Sequence, residues 1–328
     1  MKRVSIPVFK NCTPLAVIGA MELLNGANKL QQMLQEAAMP AFKVELISLW
    51  EREVVGSHNY PVYCHKTVAD VVHTDLIIIP SLDHDVEKNL SLNRGYVPWI
   101  QEQAAAGAEI ASMCTGAFML AETGLLDGRK ATTHWYYETL FREMFPAVQL
   151  VPEQIIVEED GVYSCGGTNS YLNLMLYFIE KFCGRETALF AAKMFLIDYD
   201  KISQKQYSIF SVQKQHKDDK ILAAQKYMEE NFDKGISVDD VINNVHISRR
   251  SFIRRFKKAT GNTPLEYLQR IKIETVKKQL ESSDDPISEI IYQIGYSDAT
   301  AFRQVFKKHT GMSPMAYRKK YRHRLIMV

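Results

Sequence analysis

Phe252-Ile253-Arg254-Arg255-Phe256-Lys257-Lys258-Ala259-Thr260-Gly261-Asn262-Thr263-Pro264-Leu265-Glu266-Tyr267 is matched fifty positions later by Phe302-Arg303-Gln304-Val305-Phe306-Lys307-Lys308-His309-Thr310-Gly311-Met312-Ser313-Pro314-Met315-Ala316-Tyr317. Phe252, Phe256, Lys257, Lys258, Thr260, Gly261, Pro264 and Tyr267 all recur at that one offset, in the pattern F-x3-F-K-K-x-T-G-x-[ST]-P-x-x-Y. Identity sustained at a constant spacing marks two copies of one supersecondary unit. Phe252 and Phe256 stand four apart, so they share one helical face. Arg250, Arg254 and Lys257 fall largely on another, and Gly261 supplies a helix stop.

Upstream, Ser237 can cap a short helix, with Asp240 in capping-box position and Val238, Val241, Ile242 and Val245 as its apolar face. His246-Ile247-Ser248 turns the chain, and Ser248 can cap the next helix, Arg249–Thr260. Two short helices joined by a tight turn, the second bearing bases opposite its aromatics, make a helix-turn-helix. In the second copy Ser288–Ile294 is the support helix, Gly295-Tyr296-Ser297 the turn and Asp298–His309 the recognition helix. The amphipathic helix Pro264–Leu280 lies between them and would set their spacing. A helical bundle with a lysine-rich solvated face would explain the charge, but not the duplicated pattern.

Charge follows the same division. Residues 217–328 hold 22 Lys+Arg against 14 Asp+Glu, leaving 18 against 24 for residues 1–216. A basic third joined to an acidic two-thirds points to a polyanion partner for the former, with nucleic acid the first candidate. The 328 residues, 46% hydrophobic and 24% charged, suggest two domains and exclude a disordered, collagen-like or disulfide-scaffold chain. No apolar run approaches the ~20 residues of a membrane span, and Met1–Pro7 lacks the apolar stretch of a signal peptide, so a cytoplasmic protein with no membrane partner is expected. The five cysteines (Cys12, Cys64, Cys114, Cys165, Cys183) form no C-x-x-C pair and the nine histidines are scattered. Neither a disulfide framework, a metal site nor a cofactor is indicated.

Residues 3–197 alternate strand-like and helical patterns. Arg3–Phe9, Lys43–Leu49, Asp75–Pro80, Ala108–Met113, Gln154–Val157 and Val162–Cys165 read as strands. Leu15–Leu34, Tyr96–Ala106, Thr115–Glu122, Tyr136–Phe145 and Asn169–Phe182 read as helices. That alternation predicts an α/β domain with a mostly parallel sheet covered on both faces. Residues 198–220 lose the apolar period and read as a linker, within which Gln206–Phe210 can pack on a domain. The expected order is therefore domain 1–197, linker 198–220 and an all-α domain 221–328.

In Ala111-Ser112-Met113-Cys114-Thr115-Gly116-Ala117-Phe118 a strand ends at Cys114 and a helix starts at once, the layout of a nucleophile elbow. A helix N-terminus favours thiolate there. The plainer alternative is a small residue fitting a tight turn.

Residues 221–322 resemble the DNA-binding domain of AraC-type bacterial transcription regulators, through Gly311–Arg318 and the second turn Ile294-Gly295-Tyr296-Ser297-Asp298. The resemblance implies two helix-turn-helix units in successive major-groove segments. Arg250, Ile253 and Arg254 then occupy base-reading positions of the first helix, and Ala299, Thr300 and Gln304 those of the second. Arg303 and Lys307 are placed for phosphate, and Ser248, Arg249 and Lys257 complete the expected DNA-binding set.

Cys114–Trp135 and Gly166–Arg185 resemble the PfpI-like branch of the class I glutamine amidotransferase-like superfamily, in the version fused to AraC-type domains in regulators of the GlxA type. This implies a flavodoxin-like sandwich, here expected to sense a small molecule and to dimerise. Three departures stand out: Ala16 replaces an acidic residue of enzymatic relatives, Ser81-Leu82 replaces an oxyanion-loop glycine, and Thr115 stands where a histidine would follow the cysteine. A lone thiol forfeits ~10²–10⁴-fold in acid–base catalysis, so no catalytic residue is assigned and the chain is not expected to be an enzyme. A small-molecule effector is instead expected at the carboxyl ends of the strands, near Cys114, Thr115, His134 and Trp135; for the last two, a packed core pair is the alternative. The expected partners are double-stranded DNA and that effector, with a second copy of the chain and RNA polymerase as further candidates. The rival reading is a cysteine hydrolase or amidase fused to a DNA-targeting module.

Overall fold

Ile77, Ile78 and Ile79 are wholly buried in a strand, Leu76–Ile79, that has no exposed residue. A continuous apolar run is what a parallel strand covered on both faces requires. The structure, a computed structural model, describes residues 1–35, 39–199 and 202–322. It divides into two compact units, Met1–Gln204 and Lys205–Val328.

The strands of the first unit, in chain order, are β1 (Lys2–Pro7), β2 (Phe42–Ser48), β3 (Glu53–Val55), β4 (Pro61–Tyr63), β5 (Lys66–Thr67), β6 (Leu76–Ile79), β7 (Glu109–Met113), β8 (Lys130–Ala131), β9 (Gln149–Leu150), β10 (Ile156–Glu159) and β11 (Val162–Cys165). Seven of them form one sheet in the order β10-β11-β7-β6-β1-β2-β5, parallel except for the edge strand β10. The helices are α1 (Pro14–Gln35), α2 (Val86–Asn93), α3 (Val97–Ala105), α4 (Gly116–Glu122), α5 (Glu138–Met144), α6 (Ser170–Cys183) and α7 (Arg185–Met194). α1, α6 and α7 pack together, while α4 lies against β6 and β7 and meets α2. The expected α/β class is found. Departures in detail are local: Tyr136–Phe145 divides into a 3-10 turn, Trp135–Tyr137, and α5, and the strand expected at Gln154–Val157 is shifted to Ile156–Glu159. The antiparallel hairpin β3–β4 had no sequence signal strong enough to mark it.

The second unit holds α8 (Asp219–Asn231), α9 (Val238–Val245), α10 (Arg249–Thr260), α11 (Pro264–Ser282), α12 (Ile287–Gln293), α13 (Ala299–Thr310) and α14 (Pro314–Tyr321). It has two small cores. Ile221, Ala224 and Met228 join Phe252 and Phe256 in the first; Ile273, Val276 and Leu280 join Phe302 and Phe306 in the second. α11 serves both, giving Tyr267, Leu268 and Ile271 to one and its later turns to the other. Ser237 and Asp240 make the expected capping box, and Thr263 with Glu266 makes another at the start of α11. Ser248 holds the N-cap position of α10, but its side chain makes no cap hydrogen bond, contrary to expectation. At the start of α13, by contrast, Asp298 accepts from the backbone N–H of Thr300 and Ala301.

Within the segment expected to link the domains, Ser203 Oγ donates to Glu153 O in the first unit. Further on, Phe210 packs edge-on against Tyr267 in the second, and Ser208 O accepts from Lys277 Nζ at 2.7 Å. Residues 200 and 201 lie outside the described residues.

Gly295 shows how tightly the two halves of the second unit are joined. Its φ is +74°, and a Cβ there would stand 2.4 Å from Asp233 O and 2.7 Å from Gly235 N. Gly261 also has a positive φ, +71°, but a Cβ would meet nothing within 4 Å. Left-handed backbone alone costs an L-residue roughly 1–2 kcal/mol. Gly295→Ala is therefore expected to lower unfolding free energy by at least about 1 kcal/mol more than Gly261→Ala, because main-chain atoms must also shift. Urea titration of both variants measures the difference, and equal losses would contradict the contact.

Candidate nucleic-acid interface and the elbow of the first unit

Burying Phe252 and Phe256 decides which side of α10 faces water. Arg250, Ile253, Arg254 and Lys257, spaced i, i+3, i+4 and i+7, form an exposed stripe. Thr300, Arg303, Gln304 and Lys307 repeat it fifty residues later, opposite the buried Phe302 and Phe306. The expected positions thus fall on one face of each helix. Ser248 is exposed at the head of the first stripe, whereas Ala299 is partly buried against the second core.

Not every base belongs to a stripe. Arg249 is exposed but ion-paired with Asp239. Arg255 is turned aside, its Nη2 and Nε donating to the two carboxylate oxygens of Asp218 at 2.6 and 2.8 Å. That two-pronged bond holds the Asp218 carboxyl below its ordinary range and raises Arg255. Among the described residues no such partner is found for Arg250, Arg254 or Lys257, and all three side chains are exposed.

In the first unit, Cys114 has the left-handed backbone expected of an elbow, φ +54°. Its N–H donates to Cys165 O at 2.8 Å, and Thr133 Oγ1 donates to its carbonyl at 3.0 Å. Thr115 Oγ1 donates to Leu82 O and accepts from Leu82 N–H. Gly116 follows because a Cβ would stand 2.5 Å from Pro80 O.

The elbow's chemistry departs from the thiolate that the helix dipole suggested. Cys114 is buried, and desolvation pushes its thiol up to about 11, opposed only by hydrogen bonds involving Thr115 and Thr168. Burial disfavours charge more than the seven-residue α4 can favour it. Ala16 is buried and brings no carboxylate. The other four cysteines are also buried free thiols with raised values.

His134 is half-buried, and burial lowers its basicity. Its Nδ1 accepts from Tyr136 N–H, and its ring lies 5.3 Å from that of Trp135. Tyr137, whose hydroxyl is 3.5 Å from His84 Nδ1, belongs to the same aromatic group. Cys114 O is thus joined to the segment that carries His134 and Trp135 through Thr133, while Thr115 spends its hydroxyl on Leu82.

The residue that sequence reasoning missed is Gln204. It is 1% exposed although it comes from a polar segment. The two hydrogens of its Nε2 are shared among the carbonyls of Thr133, Pro152 and Gln154, at 2.9, 2.8 and 3.0 Å, and Trp135 N–H donates to its Oε1 at 3.4 Å. Gly166 makes the space, since a Cβ there would fall 1.8 Å from Nε2. The only sequence hint was the glycine pair Gly166-Gly167.

Comparison with known proteins agrees with this geometry. Residues 2–181 match the DJ-1/PfpI family and residues 242–320 a helix-turn-helix domain. The HTH-type transcriptional regulator GbdR of Pseudomonas aeruginosa is 25% identical over 311 residues, covering 94% of this chain and 81% of that protein. GlxA of Rhizobium meliloti, also an HTH-type transcriptional regulator, is 22% identical over 325 residues, covering 98% and 96%. Among solved structures, Drosophila melanogaster DJ-1beta shares the fold of the first unit, with a TM-score of 0.51 and 17% identity over 60% of this chain and 99% of that one. The chain belongs to the DJ-1/PfpI family and, with its AraC-type helix-turn-helix domain, is a transcriptional regulator.

Proposed function

We propose that the second unit reads a specific duplex sequence and that the first unit binds a small molecule that sets the regulator's activity. The observation that carries the first half is the matched pair of exposed stripes, 250/253/254/257 and 300/303/304/307. A helix with this alternation of buried aromatics and exposed polar groups is suited to a major groove, where Arg can donate twice to guanine. The second half is supported by the open α/β architecture, whose strand ends are the usual ligand position. Gln204 supports a route to the second unit: it is held at those strand ends, and the next residue begins that unit. The effector must then bind one arrangement of the protein more tightly than another, since equal affinity shifts nothing.

The two recognition helices should contribute unequally. Ser248–Lys258 holds six bases and no acid, whereas Asp298–Lys308 holds three bases and one acid. Arg254→Ala is expected to cost the operator complex roughly 1–3 kcal/mol and to relax preference at one or two base pairs. Gln304→Ala should cost less. Lys307→Ala should weaken operator and scrambled duplex alike, reducing the slope of log affinity against log salt by about one unit. Titrations against an operator obtained by genomic footprinting, at several salt concentrations, check all three. A Gln304→Ala loss exceeding that of Arg254→Ala would overturn the assignment of α10 as the dominant reader.

The elbow backbone at Cys114 favours a second reading, a cysteine hydrolase. The buried neutral thiol and Ala16 favour ligand binding without covalent catalysis. With the thiol up at about 11, its alkylation by iodoacetamide should be slow at pH 7 and rise about tenfold per pH unit through pH 10, as the thiolate fraction grows. A rate that levels off by pH 7, measured by mass spectrometry on Cys114, would restore the hydrolase reading.

A further inference from the structure

A cleft of about 860 Å³ opens in the second unit between the start of α8 and the flank of α10. Lys217 and Lys220 line it from one side, Arg254 and Lys258 from the other. The acids beside them are largely committed. Asp218 is held by Arg255 and caps α8, leaving Asp219 as the remaining carboxylate of the lining. His216 accepts from Asp218 N–H at Nδ1 and pairs through Nε2 with Gln225. Lys217, Lys220 and Lys258 are exposed, with Lys220 Nζ steadied by Val245 O at 3.0 Å. The cleft is thus a concave surface of three lysines and two arginines against two carboxylates, one of which, Asp218, is already paired with Arg255.

Its position relative to the reading stripe matters. Arg254 belongs to both, and Lys258 lies one turn further along the same helix. An α-helix with its side chains is about 10–12 Å across, and the major groove is about 12 Å wide. A helix seated there has its flanks against the phosphate walls. The cleft opens on one such flank.

The duplication supplies an internal comparison. Ile221, Ala224 and Met228 of α8 correspond in spacing to Ile273, Val276 and Leu280 of α11, an offset of 52. By that correspondence the start of α8 matches Ile271, yet α11 begins seven residues earlier, at Pro264. Those extra turns bring Glu266 and Arg270 close enough to Lys308 and His309 for their charges to be felt there. The flank that is open beside α10 is therefore occupied beside α13.

We infer that the cleft walled by Lys217, Lys220 and Lys258, with Arg254 at its edge toward the reading stripe, is a seat for a backbone phosphate of duplex DNA, a contact that the first helix-turn-helix makes and the second does not. The inference rests on the DNA-binding reading and extends the interface beyond both recognition helices. A phosphate contact adds affinity without sequence preference, and each one contributes about 0.9 to the salt slope.

The test uses the full chain and a 30-base-pair duplex of mixed sequence, followed by fluorescence anisotropy at several salt concentrations. Lys217→Ala/Lys258→Ala is expected to reduce the slope by about one unit. Lys226→Ala/Lys278→Ala removes the same charge from other faces of α8 and α11, and should leave the slope within half a unit of the unaltered chain. Thermal melts of both variants should coincide, since all four lysines are exposed. A cleft variant whose slope equals that of the control overturns the seat while leaving DNA binding intact. Failure of the unaltered chain to bind duplex overturns both readings. Inorganic phosphate that protects Lys217 and Lys258 from amine modification, with an unchanged DNA slope, identifies a site for free anions and rejects the DNA contact.

Discussion

One helix serves two cores, and the second unit depends on it. Among the described residues the buried apolar set of the first core has eleven members and that of the second nine, and cores this small gain from a shared staple because a short segment buries little of its own surface. α11 supplies it by placing Tyr267, Leu268 and Ile271 in one core and Ile273, Val276 and Leu280 in the other. Two further contacts limit rotation about that axis. The turn before α13 lies against Asp233 and Gly235 through Gly295, and the buried Lys272 of α11 places its ammonium 4.7 Å from the Tyr296 ring centroid. The orientation of α10 relative to α13 is thereby built into the core, so that the spacing of the two reading helices is a property of the folded unit before any DNA is met.

Much of this was legible because duplication is a strong signal. Eight identities at one offset located both helix-turn-helix units, and the Phe252/Phe256 spacing assigned buried and exposed faces that the structure bears out. The buried run Ile77–Ile79 likewise placed a central strand. What escaped depends on tertiary contact. Arg249 looks equivalent to Arg250 in sequence, yet Asp239, ten positions away, claims it, and the partner of Arg255, which stood outside the expected set, lies 37 positions off at Asp218. The β3–β4 hairpin is a short, half-exposed pair whose alternation spans only three residues per strand.

The first unit separates backbone geometry from reactivity. Its strand-to-helix turn keeps a left-handed cysteine in the position an enzyme would use for a nucleophile. Burial then keeps the thiol protonated, and Thr115, Thr133 and Gly116 lock the loop around it. An elbow of this kind is a rigid floor at the end of a sheet. Rigidity of that sort has value for recognition, because a preformed surface loses little conformational freedom when it is occupied.

Gln204 gives that floor a cooperative character. One amide group faces the carbonyls of Thr133, Pro152 and Gln154, and its own oxygen accepts from Trp135 N–H. Withdrawing the side chain removes a donor from three carbonyls at once, of which those of Thr133 and Gln154 keep only the Thr132 hydroxyl to share, while the slot above Gly166 empties. Partial release therefore has little to recommend it energetically, and the loops carrying Thr133, Pro152 and Gln154 are coupled into a single opening unit of the sort that amide hydrogen exchange resolves. One buried side chain thus fastens three loops together where the chain leaves the first unit.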